Sequence, residues 1–353
     1  YKTLRSLGNF FVQYNPMEGL ILRSNLGYDI FSRSDGAFYP QATTLLGSEL
    51  GGAARRANTL NINWLNENTI NYVKKIGDHT INILGGATFQ KSHLEGIFAG
   101  STGFITDGFE SYNLEAGETD YPPSSVLSEW QVVSFLGRVS YDFKNKYLFS
   151  VSGRYDGSSR LGKNDRYDFF PAVSAAWRVS EESFLEDLKS NGTSLKIRAS
   201  YGVGGNDQIG NYSSLPSFYT ISNEFGNQSV TGVSPGGFGN PDIKWERTTQ
   251  LNLGANIGLF NNSLDITVDY YDKKTTDLLA PRMLATESGF GSITVNAGEL
   301  ENNGVEIEVG GNIDIGEMKW DISANASFEK NKFISLGEYN QADTVRTGNT
   351  ARI

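Results

Sequence analysis

The chain has 353 residues, of which 38% are hydrophobic, and it carries 40 glycines, 9 prolines and a net charge of -10. Gly-rich turns along the whole length and abundant aromatic residues exclude a disordered chain and a helical bundle, and they leave an all-β fold. The negative charge argues against a nucleic-acid partner, because phosphate binding requires clustered Lys and Arg. Since the sequence has no Cys and only two imidazoles, His79 and His93, we expect neither a metal site nor a cofactor.

An alternation of apolar and polar residues, which puts successive side chains on opposite faces of a strand, recurs about twelve times. In chain order it predicts strands over residues 4–14, 20–30, 60–72, 81–89, 133–143, 147–155, 169–179, 195–203, 251–259, 264–270, 305–315 and 320–328. Most runs span nine or more residues, whereas strands of soluble proteins typically have about 5 or 6. A tilted bilayer crossing needs about 9 to 11, so strand length favours a membrane barrel.

The connections between these strands alternate between short and long. Short ones fall near residues 15–19, 75–78, 144–146, 260–262 and 316–318, with a medium one over 180–193, and long ones fall near 32–56, 93–128, 157–168, 204–243 and 281–297. Outer-membrane barrels have short periplasmic turns and long extracellular loops. The sequence therefore predicts a transmembrane, antiparallel, up-and-down β-barrel in the bacterial outer membrane, in contact with its lipid.

Aromatic residues cluster at strand ends beside a short turn. Tyr141, Phe143, Tyr147 and Phe149 surround the turn at residues 144–146. Such rings suit the headgroup level of a membrane and form the girdles of outer-membrane barrels. The alternative is ordinary cross-strand packing of rings in a soluble sheet.

Five sequence stretches, in order along the chain, carry a family resemblance. They read SGRYDGSSR (152–160), FFPAVSAAWR (169–178), KIRASYG followed by GN (196–206), NPDIKWE (240–246) and NAGELENNGVE (296–306). Together they resemble the SusC/RagA family of TonB-dependent outer-membrane transporters of Bacteroidetes-type bacteria, and the resemblance covers nearly the whole chain.

The resemblance implies a barrel of about 22 strands, of which about twelve are present, so residues 1–353 are expected to be a partial barrel domain. It also implies a plug and a TonB-contacting segment before the first residue, and further strands after the last. The implied function is import of oligosaccharides or peptides, driven by the TonB–ExbB–ExbD system, with a SusD-like surface lipoprotein that lids the pore.

A catalytic interpretation finds little support, because no H-E-x-x-H spacing and no G-x-S-x-G turn occur. The stretch 202–207 is better explained as a strand entering a loop than as a phosphate loop. Paired carboxylates at 265/269 and 306/308 share the polar face of a strand, which argues against a glycosidase pair. The turn at 156–159 could offer oxygens to Ca²⁺, but turn chemistry explains the same residues. We expect no enzyme activity.

Two of the predicted loops are acidic and aromatic and lack basic residues, which makes a neutral oligosaccharide a plausible cargo. The rings are Phe98, Phe104, Phe109, Tyr112 and Tyr121 in residues 94–128, and Tyr212, Phe218, Tyr219, Phe225 and Phe238 in residues 204–243. The alternative is that these rings fix loop against loop or seat the lipoprotein partner. The sequence therefore names no individual ligand residue.

Two further hypotheses share the strand pattern. A passive porin-type barrel would lack the plug and the TonB-contacting segment. A secreted all-β adhesin or glycan-binding module would turn the apolar faces of its strands into a sandwich core, and it would be soluble without detergent.

Overall fold

The computed structural model describes residues 1–226, 228–315, 318–335 and 337. These residues form sixteen strands: β1 Lys2–Met17, β2 Leu20–Tyr39, β3 Ala53–Ile76, β4 His79–Phe104, β5 Gly117–Phe143, β6 Tyr147–Ser158, β7 Tyr167–Arg178, β8 Ser194–Asn206, β9 Ser217–Phe225, β10 Gln228–Gly237, β11 Glu246–Leu259, β12 Leu264–Thr276, β13 Leu279–Met283, β14 Ser292–Asn296, β15 Glu299–Ile315 and β16 Met318–Ser335. Helices are short: α1 Leu45–Leu50, α2 Glu186–Ser190 and five single turns of 3₁₀ helix. No described helix is long and apolar enough to span a bilayer.

Twelve of the strands form one antiparallel sheet in the order β1-β2-β3-β4-β5-β6-β7-β8-β11-β12-β15-β16. Each strand of the sheet neighbours the next one in the chain, apart from two inserted pairs, β9–β10 and β13–β14, which form separate two-stranded hairpins. The predicted all-β, up-and-down architecture with about twelve wall strands is confirmed.

The chain divides into two compact units. The first comprises Tyr1–Tyr14, Leu22–Thr69 and Ala87–Val133, and it holds α1 and most of the long strands β1 to β4. The second comprises Asn15–Ile21, Ile70–Gly86 and Ser134–Ile353, and it holds β6 to β16. The five stretches that carry the family resemblance all lie in the second unit.

Two of the predicted long loops are shorter than predicted, because the flanking strands extend into them. β2 extends to Tyr39 and β3 begins at Ala53, while β4 extends to Phe104 and β5 begins at Gly117, so the connections are residues 40–52 and 105–116 rather than 32–56 and 93–128. The alternation ends before the strands do. Backbone pairing does not require apolar–polar alternation, and in these extensions small or polar residues such as Ala53, Ala54 and Ser101 are buried, so the side-chain pattern no longer marks the strand.

The remaining connections agree with the prediction, and two carry structure of their own. Residues 204–243 contain the hairpin β9–β10, and residues 281–297 contain most of β13–β14. Among the short connections, the turn at 260–263 has three consecutive residues with positive φ, Phe260, Asn261 and Asn262. The predicted turn at 316–318 lies largely outside the described residues, which omit 316 and 317.

Candidate functional site

One face of the sheet in the second unit is apolar from strand to strand. Leu253, Val151 and Ile197 on this face are 45%, 61% and 46% exposed, so the described part of the chain leaves this face uncovered. The ladder of register partners joins Val151 to Val173, Ala175 to Ala199, Ile197 to Ala255, Ala255 to Val268, Val268 to Ile307 and Ile307 to Ala326. A continuous exposed apolar band of this kind fits a bilayer.

Aromatic rings border the apolar band at both ends. Beside the short turns, His79, Phe143, Tyr147 and Trp177 follow one another with ring centroids 4.8, 6.3 and 6.4 Å apart. At the other end of β6, Tyr155 stacks on Tyr167 at 5.4 Å. Tyr147 and Tyr155 are about 27 Å apart along the strand at roughly 3.4 Å per residue, or about 20 Å along the normal of a membrane at a tilt of about 45°. The girdle interpretation fits this spacing.

Glu182 anchors the aromatic end beside the short turns. Its carboxylate accepts hydrogen bonds from the Tyr147 hydroxyl at 2.6 Å and from Trp177 Nε1 at 3.1 Å, and Lys146 Nζ lies 3.4 Å away. Glu182 itself lies between two 3₁₀ turns, outside the strands. First the Tyr147 hydroxyl, then Trp177 and Lys146, lower the pKa of this carboxyl below its ordinary value.

The opposite face of the sheet is polar, and its central feature is a bridge over a glycine. Arg198 Nη2 on β8 donates to Asp269 Oδ2 on β12 at 2.6 Å, and Arg198 Nε donates to Asn256 at 3.1 Å. Gly254 on β11 lies opposite both residues in the register. A glycine inside a strand marks a close approach of neighbouring groups. Gly254 is therefore a sequence signal for this bridge, although the bridge was not predicted.

Charged side chains of both signs lie on the polar face. On β6 to β8 the basic Arg154, Arg178, Lys196 and Arg198 accompany Asp156 and Asp168. On β12, β15 and β16 an acidic group, Asp265, Asp269, Glu306, Glu308, Asp321 and Glu329, accompanies Lys273 and Lys319. The predicted carboxylate pairs at 265/269 and 306/308 are part of the acidic group. Of these carboxylates, Asp269 is paired with Arg198.

At the end of the strands away from the short turns, the connecting segments meet in a small buried cluster, which we call the loop core. It consists of Leu161, Phe170, Ile243 and Trp245, all 7% exposed or less. The rings of Phe170 and Trp245 meet edge to face with centroids 5.3 Å apart. These four residues come from the connection after β6, from β7 and from the segment before β11, so they join three parts of the chain.

Hydrogen bonds close the loop core. Trp245 Nε1 donates to the Arg166 carbonyl at 2.9 Å, and Gly162 N donates to the Ile243 carbonyl at 2.8 Å. Arg247 Nη1 donates to Asp168 Oδ1 at 2.6 Å. The indole N–H of the buried Trp245 and these backbone groups are therefore hydrogen-bonded, as polar groups in a protein interior usually are.

The stretch considered for Ca²⁺ is part of the same structure. Ser158 is buried, and its hydroxyl donates to Asp207 Oδ2 at 2.6 Å. Both carboxylate oxygens of Asp156 accept from Arg154 Nε, at 2.6 and 2.9 Å. These contacts favour turn chemistry over a cation site. The described residues contain no group of three or more His, Asp or Glu side chains that could hold a metal.

The loop core is tied to the base of β13–β14 by side-chain amides and carboxylates. Asn296 Oδ1 accepts from Lys244 N at 2.9 Å, while its Nδ2 lies 2.9 Å from the Lys244 carbonyl. Glu246 accepts from Leu279 N at 3.0 Å and from Asn206 Nδ2 at 3.2 Å. Four of the five family stretches therefore supply residues to the loop core or to its hydrogen bonds, and Leu161 directly follows the fifth, 152–160.

The aromatic residues of the predicted loops fall into two groups. In residues 94–128, Phe104 is buried against Phe38 with ring centroids 5.8 Å apart, and Arg55 and Arg56 lie over the rings of Tyr121 and Tyr112 at 5.9 and 5.0 Å. Packing explains Phe104, whereas the ring of Tyr112 is 76% exposed. The other group is on β9, where Phe218, Tyr219 and Phe225 are each more than half exposed.

These features match a known family. A family model described as TonB dependent receptor-like, beta-barrel matches residues 4–352. The chain belongs to the TonB-dependent receptor β-barrel family. Its apolar face is therefore the lipid-facing surface of a barrel wall in the bacterial outer membrane, with short turns on the periplasmic side and long connections outside. The secreted-module hypothesis is not favoured.

Individual TonB-dependent receptors agree with this assignment. The chain is 40% identical over 329 residues to the TonB-dependent receptor P3 of Formosa agariphila, covering 93% of this chain and 33% of that protein. It is 30% identical to the TonB-dependent receptor SusC of Bacteroides thetaiotaomicron, covering 80% of this chain and 29% of that protein. The solved structure of the RagAB peptide transporter superimposes with a TM-score of 0.85 at 29% identity, covering 95% of this chain and 37% of that one. The chain thus spans about a third of the length of the curated relatives it matches.

Proposed function

We propose that this chain is part of the wall of a SusC-like, energy-coupled importer that takes up oligosaccharides or peptides through the outer membrane. The observation that carries the proposal is the loop core, where stretches typical of the SusC/RagA family, 169–178, 196–206, 240–246 and 296–306, meet beside the stretch 152–160 on the extracellular side of the sheet. The likeness to the RagAB peptide transporter supports the same activity.

The partners of the proposed importer are a SusD-like surface lipoprotein on the outside and the TonB–ExbB–ExbD system on the periplasmic side. Both would act on the complete protein, of which this chain supplies a segment of wall. The proposed role is transport without chemistry on the cargo. The ion pair between Asp269 and Arg198 supports this, because a carboxylate held by a guanidinium is a poor general acid.

Two classes of cargo have separate support. Peptides are supported by the likeness to the RagAB peptide transporter, to which the chain is 29% identical. Oligosaccharides are supported by the exposed rings of Phe218, Tyr219 and Phe225 in an acidic loop, since rings stack on the apolar faces of sugars while carboxylates accept hydrogen bonds from hydroxyls.

The experiment is an uptake assay in the native host, with fluorescent oligosaccharides in one arm and fluorescent peptides in the other. Cells that carry the complete gene are compared with a deletion of that gene and with a deletion of tonB. We expect one cargo class to be taken up and both deletions to abolish its uptake. Uptake that persists without TonB would indicate a passive porin. Uptake that persists after deletion of the gene would show that this protein does not import that cargo.

A further inference from the structure

Arg55 lies on the polar face of the wall, near the extracellular end of β3. The odd-numbered residues of β3 from Arg55 to Asn63 share one face, by the period of two of a strand. This face is polar, because Asn63 lines a recess together with Asn9, Asn25 and Gln90. The polar face of a barrel wall lines the lumen. Since β3 follows a long connection, Arg55 lies at the outer mouth of that lumen.

Two glycines of β4 fix the side to which Arg55 points. A Cβ built on Gly96 would lie 3.7 Å from Thr59 Oγ1, and a Cβ built on Gly100 would lie 3.5 Å from Arg55 Cγ. The two contacts are four residues apart on both strands, so the alternation is unbroken between them. The Cβ on Gly100 would also lie 2.8 Å from the ring of Tyr121. This glycine therefore lets the arginine and the tyrosine lie close against β4.

Two tyrosine rings flank the guanidinium of Arg55. Its Cζ lies 5.9 Å from the ring centroid of Tyr39 and 5.9 Å from that of Tyr121, within the range of a cation–π contact. The preceding residues, Ala53 and Ala54, are fully buried, so the arginine stands on a packed support. Both tyrosines are half-buried, whereas Arg55 is exposed. The rings thus hold the guanidinium in place and leave it accessible from the mouth.

The hydrogen-bonding groups of this guanidinium are unused within the described part of the chain. No described carboxylate lies within ion-pair distance of it, and no described acceptor takes a hydrogen bond from it. Other described arginines are ion-paired, among them Arg5, Arg154, Arg160, Arg198 and Arg247. A free guanidinium presents its N–H donors as a planar fork, which matches both oxygens of a carboxylate. Arg55 is therefore suited to a carboxylate that comes from outside the described chain.

Carboxylates of a neighbouring segment limit the charge of that ligand. Residues 94–128 supply Tyr121 and contain no basic residue of their own, so the fold adds Arg55 to them from β3. Their acidic residues are Glu95, Asp107, Glu110, Glu115, Glu118 and Asp120. Like charges repel one another at short range, so this surrounding disfavours a polyanion. A single carboxylate on an otherwise uncharged molecule gains the fork of Arg55 without repulsion along its length.

We propose that Arg55, between Tyr39 and Tyr121, is a binding subsite for one carboxylate group of an otherwise uncharged cargo. This inference rests on the proposed function, because it assigns a part of the lumen to the cargo named there. The same chemistry is offered by the C-terminal carboxylate of a peptide and by a uronate sugar at the end of an oligosaccharide. The tyrosine rings suit the apolar part of either molecule.

The test measures uptake by native host cells that carry the complete receptor gene, with two pairs of fluorescent probes supplied below saturation. One pair is a pool of uncharged peptides, labelled at the N-terminus, with a free or an amidated C-terminus. The other is an oligosaccharide that ends in a uronate sugar and the same oligosaccharide with the uronate reduced to a neutral sugar. The test variant is Arg55→Gln, and Arg55→Lys keeps the charge without the fork.

The matched control is Arg56→Gln. It removes the neighbouring guanidinium, which faces the other side of β3 by alternation and lies over Tyr112 at 5.0 Å. All variants are checked for migration as folded barrels on unheated gels.

We expect wild-type cells to take up the acid form of one pair at least about tenfold better than its neutral form, since a bidentate, charge-assisted contact is lost with the carboxylate. Arg55→Gln should lower uptake of the acid form to the level of the neutral form and leave uptake of the neutral form unchanged. Arg55→Lys should give an intermediate value, and Arg56→Gln should match the wild type.

Equal uptake of the acid and neutral forms by the wild type would overturn the subsite and leave the importer intact. Wild-type uptake of the acid form by folded Arg55→Gln would do the same. Loss of both forms in Arg55→Gln would indicate a structural role of the arginine and would also overturn the subsite. Should Arg55→Gln not assemble, folded Arg55→Lys decides, and unchanged preference for the acid form in that variant overturns the role of the fork. No uptake of any probe by the wild type would contradict the proposed function itself.

Discussion

Arg198 and Asp269 form an ion pair of 2.6 Å across the strand that separates them. They reach each other because the intervening residue, Gly254, has no side chain: a Cβ built there would lie 2.4 Å from Asp269 Oδ1 and 2.7 Å from Arg198 Cζ. Arg198 also holds Asn256, which in turn donates to Thr267 at 3.1 Å. Three neighbouring strands of the wall are therefore joined on the polar face through one glycine.

Replacing this glycine should destabilise the barrel. In Gly254→Val the new side chain must displace the ion pair, and overpacking of this kind costs about 1–3 kcal/mol. The measurement is the temperature at which the complete receptor in detergent loses its folded band on gels. Gly310→Val on β15 is the control, because Gly310 lies on the same face with nothing within 4 Å of its added Cβ. Equal midpoints for the two variants would show that the bridge does not constrain the wall.

The apolar face should reject charge and the polar face should accept it. Leu253→Arg and Val268→Arg place a guanidinium toward lipid, at a cost of about 2–4 kcal/mol near the bilayer midplane. Both variants of the complete receptor should reach the outer membrane as folded barrel in much smaller amounts. Glu308→Arg, an exposed position on the polar face, should assemble at the wild-type level. Normal assembly of both lipid-face variants would contradict the assignment of the faces.

The loop core should control the order of the extracellular connections rather than the assembly of the wall. Trp245→Ala removes a buried ring that packs on Phe170, and such truncations cost about 3–5 kcal/mol. When protease is added to intact cells that display this variant, we expect it to cleave the receptor within residues 207–243 while the folded barrel is retained. Leu215→Ala, at a residue 57% exposed in the same connection, is the control. A variant as resistant as wild type would mean that the loops are held elsewhere.

Alternation predicted the wall strands because a bilayer on one face forces apolar residues onto every second position, as in residues 251–259. It could not predict the outer ends of β2 to β5, where small and polar residues such as Ala54 and Ser101 are buried and no apolar–polar alternation marks the strand. Alternation alone also could not pair Arg198 with Asp269, which are 71 residues apart in the chain and meet only through the register of β8, β11 and β12, although Gly254 was a sequence signal for a close approach. The family stretches were visible in sequence, but their meeting at Trp245 needed the fold.

Low pH should destabilise the group of aromatic side chains beside the periplasmic turns, because it protonates Glu182. The Tyr147 hydroxyl, followed by Trp177 and Lys146, lowers the pKa of this carboxyl from its ordinary 4.5. A carboxyl with a lowered pKa in the folded state adds stability that is complete above the unfolded value and is lost as the pH falls through the folded value. The loss should therefore occur below about pH 4.5 and not between pH 5 and 8. Glu182→Gln keeps an acceptor for Tyr147 but cannot titrate.

The readout for Glu182 is the drop in the thermal midpoint of the folded receptor between pH 7 and pH 3. We expect this drop to be smaller in Glu182→Gln than in wild type, and we expect the variant to be less stable than wild type at pH 7, because a neutral amide is a weaker acceptor than a carboxylate. The matched control is Glu181→Gln, at the residue next to Glu182, which removes an exposed ion pair with Lys189. This control should follow the wild type closely, since exposed ion pairs contribute little to stability. Identical pH profiles for Glu182→Gln and wild type would show that the hydrogen bonds to Tyr147 and Trp177 do not depend on the charge of this carboxylate.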